Sequence, residues 1–521
     1  MARINSNISS VIAQSNLGRS QAELQLRLER LSTGLRINRG KDDPAGLIIS
    51  ERLRSNIDGV EAGVKNSQRA GSMISTTEAA LAEISDLLNS VRSLIVESAN
   101  TGASSEAERQ ANQLQIDSAI ESITRISNTA SFGSLKLLNG SLDYTLSSVS
   151  AGSIRTAKVN NASLINQANL QVNVAVVASA QVGALYYNGG TTTPPGVLAS
   201  AMTLEVAGRS GVQTVALASG ISLSQVVTAV NTIKNFTGVE AVLINNNANS
   251  GIVFRSTDYG SNSFVSVSRL NKPQNTSEDT WRTYKLADTS PQFSNTPFGW
   301  STLIGAGTLF TADRDTGRDV QALINGNLAA GRGLDVILNT PSLGVELTLD
   351  AAFATDPTST ATSFYITGGG ALFQIGPEVS ALQQTNIGIG SVAASKLGGS
   401  LVGGKLQYLS ALKDGQGLSI RDALANGGDF SGAQTVLGKA IDDITVLRGR
   451  LGAFERNVLE PNLRSLQSQF ENLTASESAI RDADFAFETS KLTRAQILSS
   501  AGTSVLSLAN QQSQQVLQLL G

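Results

Sequence analysis

The sequence of 521 residues contains no histidine and no cysteine. These absences exclude imidazole general bases, thiolate nucleophiles, disulfide bonds and the usual zinc ligands. Most hydrolase and metalloenzyme mechanisms depend on one of these groups. We therefore predict a protein that is not an enzyme and has no catalytic, cofactor-binding or metal-binding residues.

An excess of basic charge and a long apolar run are also missing. The formal net charge is −3 and the sequence pI is about 5.4, so no overall positive field attracts nucleic acid or an anionic membrane surface. No stretch of about 18 apolar residues is present to span a bilayer. The first twenty residues contain neither an apolar core nor a small-residue cleavage site, so we do not expect export through a Sec-type signal peptide.

Aromatic residues and prolines are scarce at both ends of the chain. The first aromatic residue is Phe132, and eight of the ten prolines lie between Pro194 and Pro377. Because proline inside a helix costs about 3 kcal/mol, the flanks can form long helices that the centre cannot. A chain of this length also exceeds a single hydrophobic core. We predict a multidomain α+β protein with helical ends and a β-rich centre.

In the N-terminal flank, leucines recur at spacings of three and four residues, which predicts a helix with one apolar stripe. The stripe comprises Ile4, Ile8, Val11, Leu17, Leu24, Leu28, Leu31 and Leu35. A second helix is predicted from about residue 44, because Asp43 can cap free N–H groups and Pro44 suits the first helical position. A third helix is predicted over about 105–128.

The C-terminal flank shows the same periodicity. A stripe that starts at Ile444 changes register near Pro461, which predicts a bent or shifted helix at that point. A last helix is predicted from about Thr493, with an apolar stripe formed by Ile497, Ala501, Val505, Leu508, Val516 and Leu519.

The two ends of the chain carry opposite charge. Residues 1–41 have a net charge of +5, and residues 441–490 have a net charge of −4. This balance predicts that the ends lie together. Exposed ion pairs contribute only about 0 to 1 kcal/mol each, so the apolar stripes should dominate the pairing.

The central region, roughly 140–440, contains short alternating stretches separated by Gly, Asn, Ser and Thr. Strands are predicted over 203–206, 212–217, 251–255 and 345–349, with a helix over 222–234. The segment 399–405 matches part of a phosphate-binding loop, but Leu406 occupies the position of the Mg²⁺-binding hydroxyl residue. We interpret it as a flexible glycine-rich connection.

Three segments resemble the conserved ends of bacterial flagellins: LERLSTGLRINRGKDDPAG (28–46), FGSLKLLNG (132–140) and SAIRDADFAFETSKLTRAQILSSAGTSVLSLANQ (478–511). The resemblance extends over about 1–140 and 395–521. Residues 201–268 are similar to the insertion motif of the variable region in many flagellins. The resemblance implies a structural subunit that self-assembles into the flagellar filament used for motility. The alternative is a hook–filament junction protein, which shares the terminal segments.

The resemblance also implies a division into domains. The chain ends form a coiled-coil-like inner core at 1–40 and 481–521, and an outer helical core comprises 41–180, with a β-hairpin, and 395–480. The variable β-rich outer domains occupy 181–394. The residues implied in inner-core assembly are Ile4, Ile8, Leu17, Leu24, Leu28, Leu31, Leu35, Val505, Leu508, Val516 and Leu519.

Partners and location follow from the same resemblance. The chain is expected to bind other copies of itself, a flagellar export chaperone, and hook-associated and cap proteins, without nucleic acid or membrane partners and without cofactors. It is expected to leave the cell through the flagellar type III apparatus and to reside in the extracellular filament.

An innate flagellin receptor of animals is a further implied partner. Its expected surface comprises Val91, Arg92, Leu94 and Val96. However, Ser90 occupies a position where strongly recognised members carry arginine. The alternative is that Val91 and Leu94 pack laterally between subunits, and for assembly we favour this interpretation.

Overall fold

The computed structural model describes residues 7–162, 164, 169–191, 195–271, 281–287, 299–305, 307–340 and 342–520, with side chains described outside 191, 302 and 513–520. The chain forms two compact units. The first unit comprises Met1–Gly71, Phe373–Gln384 and Phe454–Gly521, and the second comprises Ser72–Leu372 and Thr385–Ala453.

Long helices occupy the flanks and short helices occupy the centre, as predicted. The helices are α1 (Ile8–Thr33), α2 (Pro44–Ala99), α3 (Glu106–Thr129), α4 (Leu223–Thr232), α5 (Lys234–Thr237), α6 (Trp300–Gly305), α7 (Ala351–Ala354), α8 (Ile420–Ala425), α9 (Ser431–Phe454), α10 (Glu460–Arg481) and α11 (Phe485–Leu520).

Local capping explains where several helices begin. Asp43 Oδ1 accepts a hydrogen bond from Gly46 N at 2.9 Å, and α2 starts at Pro44 as predicted. A reciprocal capping box between Ser105 and Glu108 starts α3. These side chains satisfy N–H groups that have no partner within the helix.

The predicted register change near Pro461 is confirmed. A π-helical segment, Glu455–Leu459, lies between α9 and α10. A π turn inserts one residue into the helical repeat and so moves the apolar stripe to another face. Pro461 follows it in the first turn of α10, where its missing N–H costs little.

The predicted start of the last helix near Thr493 is wrong. α11 begins at Phe485, eight residues earlier. Asp484 provides the physical reason, because its Oδ1 accepts a hydrogen bond from Phe487 N at 3.0 Å and caps the helix there.

The strands are β1 (Ser131–Phe132), β2 (Leu135–Lys136), β3 (Tyr144–Ser147), β4 (Ile154–Ala162), β5 (Leu170–Ala178), β6 (Ala184–Tyr187), β7 (Met202–Gly208), β8 (Gly211–Leu217), β9 (Val239–Leu243), β10 (Ile252–Ser256), β11 (Phe264–Arg269), β12 (Thr283–Leu286), β13 (Leu309–Thr311), β14 (Arg314–Thr316), β15 (Gln321–Ile324), β16 (Asn327–Arg332), β17 (Asp335–Asn339), β18 (Leu343–Leu349), β19 (Thr362–Gly369), β20 (Ala371–Gln374), β21 (Gln384–Ile387), β22 (Ser400–Val402) and β23 (Lys405–Gln407). The four predicted strands correspond to β7, β8, β10 and β18.

The largest sheet has eight antiparallel strands in the order β3-β19-β5-β15-β16-β17-β18-β4. Its buried face includes Val174, Leu347 and Phe364, each fully inaccessible to solvent. Alternate residues of a strand point to the same face, so the exposed and buried positions alternate along β5.

Two further sheets of five and four strands lie in the β-rich region, in the orders β13-β12-β6-β10-β9 and β14-β11-β7-β8. Their core contains Tyr187, Phe254 and Trp281, and the rings of Tyr187 and Trp281 stack with centroids 4.2 Å apart. Helix α4 covers this core through Val226 and Val230.

The interpretation of 399–405 as a flexible connection is wrong. β22 and β23 form an antiparallel hairpin there, in which Val402 pairs with Lys405. The two turn residues, Gly403 and Gly404, have φ values of 59° and 77°. Glycine adopts this left-handed conformation without steric cost, which is what a two-residue hairpin turn requires.

Candidate assembly site

The two ends of the chain form an antiparallel helix pair within the first unit. Asn7 Nδ2 near the start of α1 donates to Ala509 O late in α11, at 3.0 Å. At the other end of the pair, Arg27 Nη1 lies 2.9 Å from Glu488 Oε2. The charge balance of the two flanks predicts this pairing, and the structure confirms it.

The surface of α11 that faces α1 carries residues at intervals of seven. We call Glu488, Ala495, Gly502 and Ala509 the α11 column. Glu488, Ala495 and Ala509 are 3%, 2% and 8% exposed, and a Cβ placed on Gly502 would lie 3.6 Å from Leu17 Cβ. The three small residues of the column, Ala495, Gly502 and Ala509, let the two helices approach closely, in the manner of a coiled-coil seam.

Glu488 is a buried carboxylate that two arginines of α1, Arg27 and Arg30, bind. Arg27 Nη1 donates to its two oxygens at 3.1 and 2.9 Å, and Arg30 Nη1 donates to Oε1 at 3.1 Å. Burial disfavours the charged form of Glu488, but the hydrogen bonds and charges of Arg27 and Arg30 outweigh it and hold its pKa below the ordinary value. The carboxylate is therefore ionised near neutral pH.

Backbone hydrogen bonds join the segments that flank this pair. Arg36 N donates to Arg481 O at 2.7 Å, and Ala483 N donates to Gly34 O at 2.9 Å. Arg481 also forms an ion pair with Glu51 at 3.0 Å. The end of α1 is thereby connected to the start of α11 within the first unit.

The outward surfaces of α1 and α11 carry large apolar side chains that the subunit does not cover. Monomeric proteins rarely expose contiguous apolar patches of this kind. The residues are Ile8 (55% exposed), Val11 (63%), Ile12 (55%), Ile497 (63%), Val505 (55%) and Leu508 (60%).

The predicted assembly residues differ in how far they are buried. Leu17, Leu24, Leu31 and Leu35 are half-buried. Ile8, Leu28, Val505 and Leu508 are between 50% and 60% exposed. Ile4 lies outside the described residues, and the side chains of Val516 and Leu519 are not among those described.

The predicted receptor or lateral-packing surface on α2 is divided as well. Val91 is fully buried within the second unit, whereas Arg92 is exposed, Leu94 is half-buried and Val96 is 60% exposed. The helical repeat places Val91 on the same buried stripe as Leu88 and Ile95. Only the other three residues are accessible to another molecule.

Sequence reasoning missed the α11 column and the roles of Arg27, Arg30 and Glu488. The predicted stripe of α11 follows its larger side chains, of which Ile497, Val505 and Leu508 prove to be exposed. The seven-residue spacing of the α11 column is visible in the sequence, but a column of small residues and one acid carries little hydrophobic signal.

Within the described ranges, no group of three or more acidic residues could hold a metal ion. None of the described helices combines the length and apolarity needed to cross a membrane.

Comparison with known proteins assigns the helical ends to a family. Residues 4–143 match the family model described as the bacterial flagellin N-terminal helical region, and residues 435–520 match that of the C-terminal helical region. Both matches cover segments that resemble flagellins in the sequence.

Full-length relatives extend the similarity to the whole chain. The flagellin of Escherichia coli K12 is 30% identical over 99% of both chains. The B-type flagellin of Pseudomonas aeruginosa is 29% identical over 99% of both chains. Among solved structures, the D1-D2-D3 domains of the Escherichia coli flagellar cap protein FliD match 49% of this chain and 64% of that chain at 18% identity, with a TM-score of 0.26.

The flagellin similarity spans both helical ends and the centre, and nothing in it favours a hook–filament junction protein. With the family models, the full-length relatives and the paired terminal helices taken together, the chain belongs to the bacterial flagellins, the structural subunits of the flagellar filament.

Proposed function

We propose that this chain polymerises through the outward surfaces of its terminal helix pair, α1 and α11, to form the extracellular flagellar filament. The observation that carries the proposal is that six large apolar side chains stay exposed although α1 and α11 bury the sides that face each other. The six are Ile8, Val11, Ile12, Ile497, Val505 and Leu508. Each such side chain contributes on the order of 1.5 to 3 kcal/mol when a neighbouring subunit buries it, before ordering costs.

We also propose that the inner-core residues and the domain boundaries implied by the flagellin resemblance apply to this chain. Residues 1–40 and 481–521 are assigned to the inner core, 41–180 and 395–480 to the outer helical core, and 181–394 to the outer domains. The pairing of the two chain ends with each other supports this division, because removal of either helix would expose the facing side of the other.

An export chaperone, hook-associated proteins and a cap protein are proposed as further partners, on the basis of family membership. On α2, we propose lateral packing through Leu94 and Val96 rather than receptor recognition, because Val91 is buried and Ser90 supplies no charge. We also propose that the chain has no enzymatic activity.

The test is seeded polymerisation of the purified full-length chain, observed by electron microscopy. Leu508→Asp should abolish growth, because it places a charge in a surface that assembly buries. Val212→Asp is the matched control, since Val212 is similarly exposed at 56% but lies on β8. Normal filaments from Leu508→Asp would contradict the proposal, as would equal loss of growth in both variants.

A further inference from the structure

We propose that Arg27, Arg30 and Glu488 set the register of the α1–α11 pair, by making every alternative seven-residue alignment of the two helices unfavourable. We call these three residues the register triad. The inference rests on the pairing of the chain ends proposed above and adds the device that selects one alignment.

The apolar part of the pair does not specify a single alignment. On α1, leucines recur at intervals of seven at Leu17, Leu24 and Leu31. On α11, the small residues Ala495, Gly502 and Ala509 recur at the same interval. A shift of seven residues therefore places a leucine opposite a small residue again, and helices with such strict repeats can pair in several registers.

Glu488 is the member of the α11 column that breaks the repeat. It occupies the same helical face as the three small residues but is a carboxylate, 3% exposed. A buried carboxylate without partners is strongly disfavoured. A cation beside Glu488 is therefore the strictest requirement for any alignment of the two helices.

The observed register places two arginines, Arg27 and Arg30, on that carboxylate. A shift of α1 by seven residues in one direction replaces Arg27 and Arg30 with Ser20 and Glu23. That alignment brings a second carboxylate to Glu488, and like charges at close range repel.

A shift in the opposite direction replaces the two arginines with Gly34 and Ile37. Both lie beyond Thr33, the last residue of α1, and neither side chain can neutralise a carboxylate. Both alternative registers therefore remove the pair of arginines that neutralises the buried Glu488.

Polar contacts elsewhere along the pair are less selective. Near the opposite end, Ser10 Oγ donates to Asn510 Oδ1 at 2.7 Å in a solvent-exposed hydrogen bond. The bridge between Leu35 and Asp482 uses backbone atoms, which any residue provides. Buried polar groups that specify register are well attested in coiled coils.

The absence of native cysteine allows the register to be read directly by disulfide formation. Leu17→Cys with Gly502→Cys reports the observed register, because the two Cβ positions would be 3.6 Å apart, which suits a disulfide. Ser10→Cys with Gly502→Cys and Leu24→Cys with Gly502→Cys report the two shifted registers. Intramolecular products are identified by their migration on non-reducing gels, in the soluble full-length chain and after seeded polymerisation.

With the triad intact, only the 17–502 disulfide should form. With Glu488→Gln, the two shifted disulfides should appear as a substantial fraction of the product. Glu29→Gln is the matched control, because Glu29 lies on the partner helix α1 and also pairs with an arginine, but it is half-buried and its partner Arg39 is exposed. This control should form the 17–502 disulfide alone.

If Glu488→Gln prevents pairing altogether, Arg27→Met with Arg30→Met and Glu488→Leu restores an apolar interface without the triad. Mixed registers in this triple variant support the inference. A sole 17–502 product in Glu488→Gln, or in the triple variant, overturns it and assigns the register to the Leu35–Asp482 bridge. Failure of the 17–502 disulfide in the unaltered triad background would instead contradict the pairing of the chain ends.

Discussion

The terminal helix pair and the central sheets bury their apolar surface in opposite ways. The sheets enclose large side chains such as Phe254 and Phe364, both fully buried, in closed cores. The pair of α1 and α11 buries small residues along its seam, and several of its large apolar side chains, such as Ile8, Val505 and Leu508, stay exposed. The centre is thus stable by its own packing, whereas the ends carry apolar surface suited to other copies of the chain.

Phe254→Ala should cause the largest loss of stability, and this loss should be confined to the central sheets. Phe254 lies on β10, and its ring centroid is 6.1 Å from that of Trp281. Its truncation leaves a cavity and should lower the free energy of unfolding of this region by about 3 to 5 kcal/mol. Calorimetry of the full-length chain measures the change.

Phe236→Ala provides the matched control for this prediction. Phe236 lies on α5 and is 59% exposed, so its truncation should change the free energy of unfolding by about 0.5 kcal/mol or less. Equal losses from the two substitutions would refute the view that the centre depends on a closed aromatic core.

Ala495→Leu should have the next largest effect, confined to the terminal pair. Ala495 is 2% exposed in the α11 column, and a larger side chain there should destabilise the pair by about 1 to 3 kcal/mol. Hydrogen exchange of peptides from α1 and α11 reports this change, while peptides from the central sheets should be unaffected.

Ala501→Leu is the control on the same helix. Ala501 is exposed, so an added leucine meets no neighbour within the subunit and should leave the exchange of α1 unchanged. If both leucines accelerated exchange equally, the assignment of Ala495 to the facing side of α11 would be wrong.

Acid should weaken the terminal pair through Glu488. Its folded-state pKa is lowered from 4.5, so its ionised form stabilises the pair above the unfolded-state pKa. That contribution is lost as the pH falls through the lowered folded value. As the pH falls from about 7 to about 3, the protection factors of the α1 amides, which correct for the intrinsic pH dependence of exchange, should fall more in the native chain than in Glu488→Gln.

The nearby charges matter to this experiment. Glu23 also binds Arg27, at 3.2 Å. The difference between the native chain and Glu488→Gln isolates the buried carboxylate, and identical pH profiles would show that it contributes nothing to the acid response.

Local signals explain which helices could be predicted. Asp43 and Pro44 correctly predict the start of α2, and the shifted stripe at Pro461 correctly predicts an irregular helix, because capping and periodicity act over a few residues. The start of α11 could not be predicted in this way. The large apolar residues from Ile497 onward suggest a later start of the helix, whereas the capping residue, Asp484, lies well before them.

Long-range pairing accounts for what could not be predicted. β19 lies between β3 and β5, more than 180 residues away in sequence, and no local pattern specifies such neighbours. Glu488 likewise appears in the sequence as one acid among many. Its burial follows only from the alignment of two helices at opposite ends of the chain.

Ser222→Ala should have the smallest effect, again confined to the centre. Ser222 Oγ accepts a hydrogen bond from Gln225 N, and Gln225 Oε1 accepts one from Ser222 N at 3.0 Å. Removal of the hydroxyl breaks one of these two contacts and should cost about 1 kcal/mol. Ser224→Ala, on the exposed side of the same helix, should cost less. Because the cap lies far in sequence from both chain ends, filament growth should be normal in both variants, and slower growth of Ser222→Ala would show that stability of the centre affects assembly after all.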